Sequence, residues 1–234
     1  DTLFINKMPF LATIAHPIYY QQCIPLNNRS HAEYYTAIDK VVWTLNGIGF
    51  CIDMIECDNE YQSLMNPIKD DMNIEVNYTN AGEHQPPAER NNRTIKESFR
   101  VALHQLPYKT IPHNMIKILA IISVDRLNMF PAKHGVSSYY SPAAIVTQLT
   151  LDYNKHCKYS FGEYVQAHPD ATDRNMTACT IDTIYLCPTP TNKKGGHKFM
   201  NLNTGVTFNC NQCTPVPLPN LVKECIEEMA CKQG

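Results

Sequence analysis

The sequence predicts a mixed α/β chain, and three observations lead there. Strand-length apolar runs crowd the first 24 residues, a 3.6-residue apolar period takes over between His31 and Leu45, and strand signals return after Pro131. Leu3 to Ile5 and Phe10 to Ile14 are short apolar segments separated by Asn6-Lys7-Met8-Pro9, and Ile18 to Ile24 follows Pro17. Turn residues between such runs predict three consecutive antiparallel strands. From His31, Ile38, Val41, Val42 and Leu45 recur at i, i+3, i+4 and i+7 before Asn46-Gly47, which predicts a helix with one buried stripe. Phe50 to Cys57 and Asn73 to Tyr78 read as two further short strands, apolar enough to need helical cover.

Pro86-Pro87 opens the next helix, because proline at a first helical position gives up no hydrogen bond the helix would have made. The pattern predicts a helix over about Ala88 to Leu106, with Ile95, Phe99, Ala102 and Leu106 on its apolar stripe and Glu89, Arg93, Lys96 and Arg100 on another. After Pro107 a second helix, His113 to Met129, is apolar on most sides. Ser141-Pro142 starts a short one over Ala143 to Leu149. Strand candidates follow at Tyr164 to Ala167, Thr180 to Leu186, His197 to Leu202 and Val206 to Asn209, with Asn203-Thr204-Gly205 as a hairpin turn. Together they fit a small β-barrel of about sixty residues. Pro215, Pro217 and Pro219 make an extended spacer before an amphipathic helix at Leu221 to Cys231, packed through Leu221, Val222, Cys225 and Met229.

Composition narrows the classes of function. At 234 residues the chain can bury a substantial core, and 44% hydrophobic against 18% charged residues excludes wholesale disorder. The most apolar run, Met115 to Val124, contains Lys117 and is far short of the ~20 residues a membrane span requires, so no membrane partner is expected. Twenty Lys and Arg against 22 Asp and Glu give a net charge of −2. With no global field to steer a polyanion, any contact with nucleic acid must be local. Ten cysteines are too few for a disulfide scaffold of this length, and no secretory leader is visible ahead of Asp1.

Three acids stand out by placement: Asp1 before the first strand, Asp58 after the fourth and Glu89 in the first turn of a helix. Carboxylates suit two-metal phosphoryl transfer, in which Mg²⁺ ions held by hard oxygen ligands clamp the attacking and leaving oxygens. Ordinary structural roles fit each of them as well: Asp58 as a helix cap, Glu89 as a partner of the helix dipole, Asp1 as a terminal residue.

Motifs decide between these readings. The run from His84 through Glu97, with Ala88-Glu89-Arg90-Asn91-Asn92-Arg93-Thr94 at its centre, is similar to a helix of the Ty1/copia-type retrotransposon integrase core. Asp1-Thr2-Leu3-Phe4-Ile5-Asn6-Lys7-Met8-Pro9-Phe10 resembles the strand bearing that family's first catalytic acid, and Cys57-Asp58-Asn59-Glu60-Tyr61 resembles its second acidic block. Leu127 to Pro131, Gly135-Val136-Ser137, Ser141-Pro142 and Asp152 to Cys157 resemble the same polyprotein as it continues toward reverse transcriptase. Phe161 to Gln166 and Phe199 to Val206 resemble the SH3-like domain that follows the core.

The resemblance implies a ribonuclease H-like mixed sheet with flanking helices over residues 1–150, an SH3-like β module over 151–217 and a helical tail over 218–234. It implies Asp1, Asp58 and Glu89 as catalytic and metal-binding residues, two Mg²⁺ or Mn²⁺ ions as cofactor, and DNA integration by 3′-end trimming and strand transfer. Arg90, Arg93, Lys96 and Arg100 would contact DNA phosphates, although a stripe such as Arg93, Lys96 and Arg100 also suits an ordinary solvated helix face. The partners implied are element and target DNA, further copies of the chain and other parts of the same polyprotein. The implied location is intracellular, in a cytoplasmic particle and the nucleus. A competing expectation is an inactive polyprotein fragment that keeps nucleic-acid binding or a scaffolding role.

Two weaker signals complete the reading. Cys210-Asn211-Gln212-Cys213 is a lone C-x-x-C with Cys225 and Cys231 at uneven spacing, and structural zinc is not expected there. Asn28, Asn77, Asn92 and Asn175 match the glycosylation triplet, but Asn92 falls inside the basic helix.

Overall fold

The computed structural model describes residues 1–78, 86–149, 152, 157–169, 179–189 and 196–233. The glycosylation match at Asn175 and the motif positions His84, Gln85 and Tyr153 to His156 lie outside them. Two compact units are present. One comprises Asp1–Arg100 with Ser123–Thr150, and the other Val101–Ile122 with Leu151–Gly234. No described helix is long and apolar enough to cross a membrane.

The first unit opens with β1 (Thr2–Ile5), β2 (Met8–Ala15) and β3 (Tyr20–Pro25), paired antiparallel in chain order. Asn6 and Lys7, at φ 48° and 64°, turn β1 directly into β2 with the left-handed backbone that matches strand twist in a two-residue hairpin. Alternation along β1 buries Leu3 and Ile5 on one side and leaves Thr2 and Phe4 on the other. Phe10, at the centre of β2, is 0% exposed. α1 (His31–Asn46) begins at Ser30, whose hydroxyl accepts from the Glu33 amide, and buries Ile38, Val41, Val42 and Leu45 as the periodicity predicts.

β4 (Met54–Cys57) and β5 (Glu75–Tyr78) pair in parallel, a geometry that needs a crossover. The crossover is a 3₁₀ turn (Asn59–Leu64) running into α2 (Met65–Met72), which ends at Asn73 in the left-handed conformation. The α1 stripe packs with Leu11, Leu26, Cys57, Tyr61, Leu64, Ile68 and Ile74 as one apolar cluster. α3 (Pro86–His104) buries Ile95 and Phe99, and α4 (His113–Asn128) buries Met115, Leu119, Ala120 and Val124. Near the end of α4 the Asn128 side chain accepts from the Gln21 amide at 2.8 Å and donates to the Gln21 carbonyl at 2.7 Å, so it continues the hydrogen-bonding edge of β3. α5 (Pro142–Thr147) starts at Ser141, as Ser-Pro predicts. Three antiparallel strands, a helix, then two parallel strands joined by a helical crossover form a mixed α/β fold.

In the second unit β6 (Tyr164–Ala167), β7 (Ile181–Pro188), β8 (His197–Asn201), β9 (Thr207–Cys210) and β10 (Cys213–Pro215) form one antiparallel sheet, ordered β10-β6-β7-β8-β9. Gly205, at φ 69°, lies in the predicted turn between β8 and β9. Val165, Ala167, Tyr185, Phe199 and Cys210 build its core. α6 (Asn220–Gln233) accepts the Lys109 amide on Glu227 at 2.9 Å and the His113 amide on Gln233 at 2.6 Å. The buried face of this helix corrects the expected one: Leu221 is 75% exposed, and Ile226 is buried with Val222. Leu221 lies in the first turn beyond the packed stripe, where Val222 and Ile226, at i and i+4, set the face.

His197 makes this unit sensitive to acid. Its ring lies 5.3 Å from that of Tyr159 and 5.5 Å from that of Tyr185, and burial, with Lys158 second, holds the imidazole below its ordinary value. The folded state therefore resists a proton that the unfolded chain accepts near pH ~6.5, so stability falls as pH drops below that point. His197→Phe keeps a packed ring without the titration. Denaturant midpoints measured from pH 7 to pH 5 should decline less for that variant than for the wild type.

Candidate active site

The site is built on β1, the end of β4 and the first turns of α3. Asp1 leads into β1 and its amino group donates to the Ala12 carbonyl of β2 at 3.1 Å. The Ala12 amide donates back to the Asp1 carbonyl at 2.9 Å, so the residue is held in the sheet ladder on both sides. Because Asp1 lies on the Leu3 side of the alternation, its carboxylate faces α3. There the Asn92 side-chain amide donates to Asp1 Oδ2.

Asp58 follows β4 directly. It stands at the cap position of the 3₁₀ turn, yet its side chain makes no capping hydrogen bond. The helix-cap role that competes with a functional one is therefore not taken up. Its carboxylate and that of Glu60 lie within electrostatic reach of the Asp1 amino group. Burial pushes that amine below its usual value, and Asp58, Cys57 and Glu60 oppose the shift in that order.

Glu89 is exposed in the first turn of α3. Asn92 lies three residues on, on the same helical face, so the helix that presents Glu89 also touches Asp1. Glu89, Asn92, Arg93, Lys96, Glu97 and Arg100 line an open concavity of about 430 Å³ along this face. Three cations meet two carboxylates there, which makes the surface mildly basic. Arg90 is exposed but lies outside this lining. The opposite face, with Ile95 at 0% exposure, anchors the helix.

The structure thus brings Asp1 to the Asn92 face of α3, with the Asp58 carboxylate within electrostatic reach of its amino group. Among the described residues, no three His, Cys, Asp or Glu side chains are gathered closely enough to hold a metal ion as they stand. Asn92 and Glu97 belong to the site without having been singled out from the sequence. Their signal was present, since both share a helical face with Glu89 and Arg93.

The cysteines serve elsewhere. All ten are free thiols. Cys210 ends β9 and donates through sulfur to the His168 carbonyl at 2.8 Å, while Cys213 begins β10. The C-x-x-C therefore spans the turn between the two edge strands.

No protein-family model and no curated protein matches this chain. Among solved structures it is similar to the catalytic core domain of BIV integrase, at 12% sequence identity and a TM-score of 0.46, over 63% of this chain and 91% of that one.

Proposed function

We propose that the chain is the catalytic core of a DNA-integrating polynucleotidyl transferase, followed by a β module of the SH3-like kind. The observation that carries this reading is the hydrogen bond from Asn92 to Asp1, which places the first acid against the helix face bearing Glu89 while Asp58 flanks its backbone. On this reading the three acids work together at the end of β1 where Asp1 begins.

Asp1, Asp58 and Glu89 supply only hard carboxylate oxygens, the donor type that Mg²⁺ and Mn²⁺ prefer. When bound there, such ions would lower the cost of forming the attacking oxygen nucleophile and of releasing the leaving oxygen at a phosphodiester. Within the chain, Asn92 holds Asp1 by its amide and leaves Oδ1 buried without a hydrogen-bond partner. Glu89, exposed in the first turn of the helix, would complete the set with the two aspartates. Arg93, Lys96 and Arg100 would seat the backbone of a DNA strand by phosphate contacts that position it without reading sequence.

The basic face gives a direct test. Charge reversal by Arg93→Glu with Lys96→Glu should weaken duplex binding across unrelated sequences. It should also flatten the dependence of log affinity on log salt by about one unit per lost cation. Fluorescence anisotropy over a salt series reads both quantities, and an unchanged slope would remove this helix from the interface.

A second reading is a fragment that binds nucleic acid without cutting it; among the described residues no three His, Cys, Asp or Glu side chains are gathered as a metal site. Incubation of duplex DNA with the protein and Mn²⁺ separates the two. Nicking or joining supports the transferase, and binding without either supports the relic.

A further inference from the structure

Beneath the acids lies a closed hydrogen-bond ring whose directions can be assigned from chemistry. Thr2 Oγ1 donates to Glu60 Oε1, because a carboxylate can only accept. With its single proton so placed, the same oxygen must accept from the phenols of Tyr34 at 2.9 Å and Tyr61 at 2.8 Å. The Tyr34 oxygen in turn accepts from Arg29 Nε at 3.4 Å, and Arg29 also donates to Glu60 Oε2 at 2.7 Å. The path Arg29, Tyr34, Thr2, Glu60 and back to Arg29 is complete, with Tyr61 feeding into its centre.

Every member sits at a joint of the candidate site. Thr2 is the residue after Asp1, on the side of β1 that faces away from α3. Glu60 and Tyr61 are the second and third residues after Asp58, and the Tyr61 amide donates to the Asp58 carbonyl at 3.1 Å. Tyr34 is buried in α1 and stacks edge-on against Tyr61 with centroids 4.9 Å apart. Arg29 lies over the Phe4 ring at 5.6 Å, which ties the ring back to β1 a second time. An apolar side chain at Thr2 would leave the buried Tyr61 phenol without its acceptor and would cut the Tyr34 phenol and Glu60 off from β1, a loss out of proportion to one hydroxyl.

We propose that the Thr2, Glu60, Arg29, Tyr34 and Tyr61 ring is the positioning device of the acid site, locking the turn that carries Asp58 onto the strand that carries Asp1. It rests on the reading of Asp1 and Asp58 as partners in ion binding. The ring members are positioning residues: they touch neither ion nor DNA, and they act by fixing the separation and orientation of the two aspartates.

Two readouts on the full chain test this. In Thr2→Val, hydrogen exchange at the Tyr61 amide should quicken by about tenfold as the turn opens locally. Mn²⁺ affinity, followed by water-proton relaxation, should fall by about tenfold. Thr2→Ser, which restores the hydroxyl, should recover both. If Thr2→Val fails to fold, Glu60→Gln at the rim of the ring serves for the same pair of measurements with Glu60→Asp as its rescue. Unchanged exchange overturns the proposal, and so does faster exchange with Mn²⁺ affinity intact, since the ring would then be scaffold only. Wild-type protein that binds no Mn²⁺ at millimolar concentration overturns the acid-site reading instead, and the lock between turn and strand is then decided by the exchange rates alone.

Discussion

Asp58→Asn should abolish metal-dependent DNA cleavage and joining while leaving the fold untouched. An amide of the same shape cannot balance the charge of a divalent ion, and the carboxylate it replaces lies within electrostatic reach of the Asp1 amino group. Loss of an anionic ligand should cost more than the ~10–100-fold typical of groups that merely support ligands. Structural damage should be small for a reason visible at the residue: the Asp58 side chain caps nothing, so its replacement removes no hydrogen bond from the 3₁₀ turn. The expected change in stability is therefore within about 0.5 kcal/mol. DNA affinity should hold or rise, because a negative charge beside the polyanion disappears. Cleavage of a labelled duplex in Mg²⁺ and Mn²⁺, with a denaturant melt of the same protein, checks both halves. Retained activity would remove Asp58 from the chemistry.

The second large effect concerns the scaffold. Phe10→Ala should destabilise the protein by about 4 kcal/mol, in the range that emptying a buried aromatic position costs. Phe10 is 0% exposed at the centre of β2, where it pairs with Leu3 of β1 and Pro25 of β3. No neighbour on a central strand can fold in to fill the space, so the cavity persists. The loss also acts on the site, because Ala12 of the same strand holds Asp1 by both of its backbone hydrogen bonds. A urea titration followed by tyrosine and tryptophan fluorescence should show a lower midpoint with an unchanged slope. A loss under about 1 kcal/mol would mean that this strand is not the spine of the unit.

How far the sequence reaches is clearest element by element. The α1 stripe was legible because Ile38, Val41, Val42 and Leu45 all face one core. α2 was not, since it buries Ile68 alone and so leaves no periodic trace. β10 hid in a proline-rich stretch that reads as a spacer; its register with Val165 to Ala167 comes from pairing with β6 rather than from any alternation of its own. The expected strand over Phe50 to Cys57 shortens to Met54–Cys57 because the residues after Gly47 run as irregular chain.

At the candidate site, motif and helical spacing single out the proposed acids and cations. What holds them is not legible that way. Asn92 bonds Asp1 across 91 residues of chain and Thr2 bonds Glu60 across 58, pairings that tertiary packing creates and no local pattern announces. Asp1, Thr2, Glu60 and Tyr61 were all inside the resembling blocks, but their separate surroundings emerge only when strand alternation sends Asp1 toward Asn92 of α3 and Thr2 toward Tyr34 of α1.

The central claim is that Asp1, Asp58 and Glu89 act as one ion-binding set. Its most direct test is anomalous diffraction from crystals of the full chain soaked in Mn²⁺. The expected result is a peak within coordination distance of the Asp1 and Asp58 carboxylates, with Glu89 rotated toward it. Crystals that show Mn²⁺ bound elsewhere on the chain, or none at these carboxylates at saturating concentration, would contradict it.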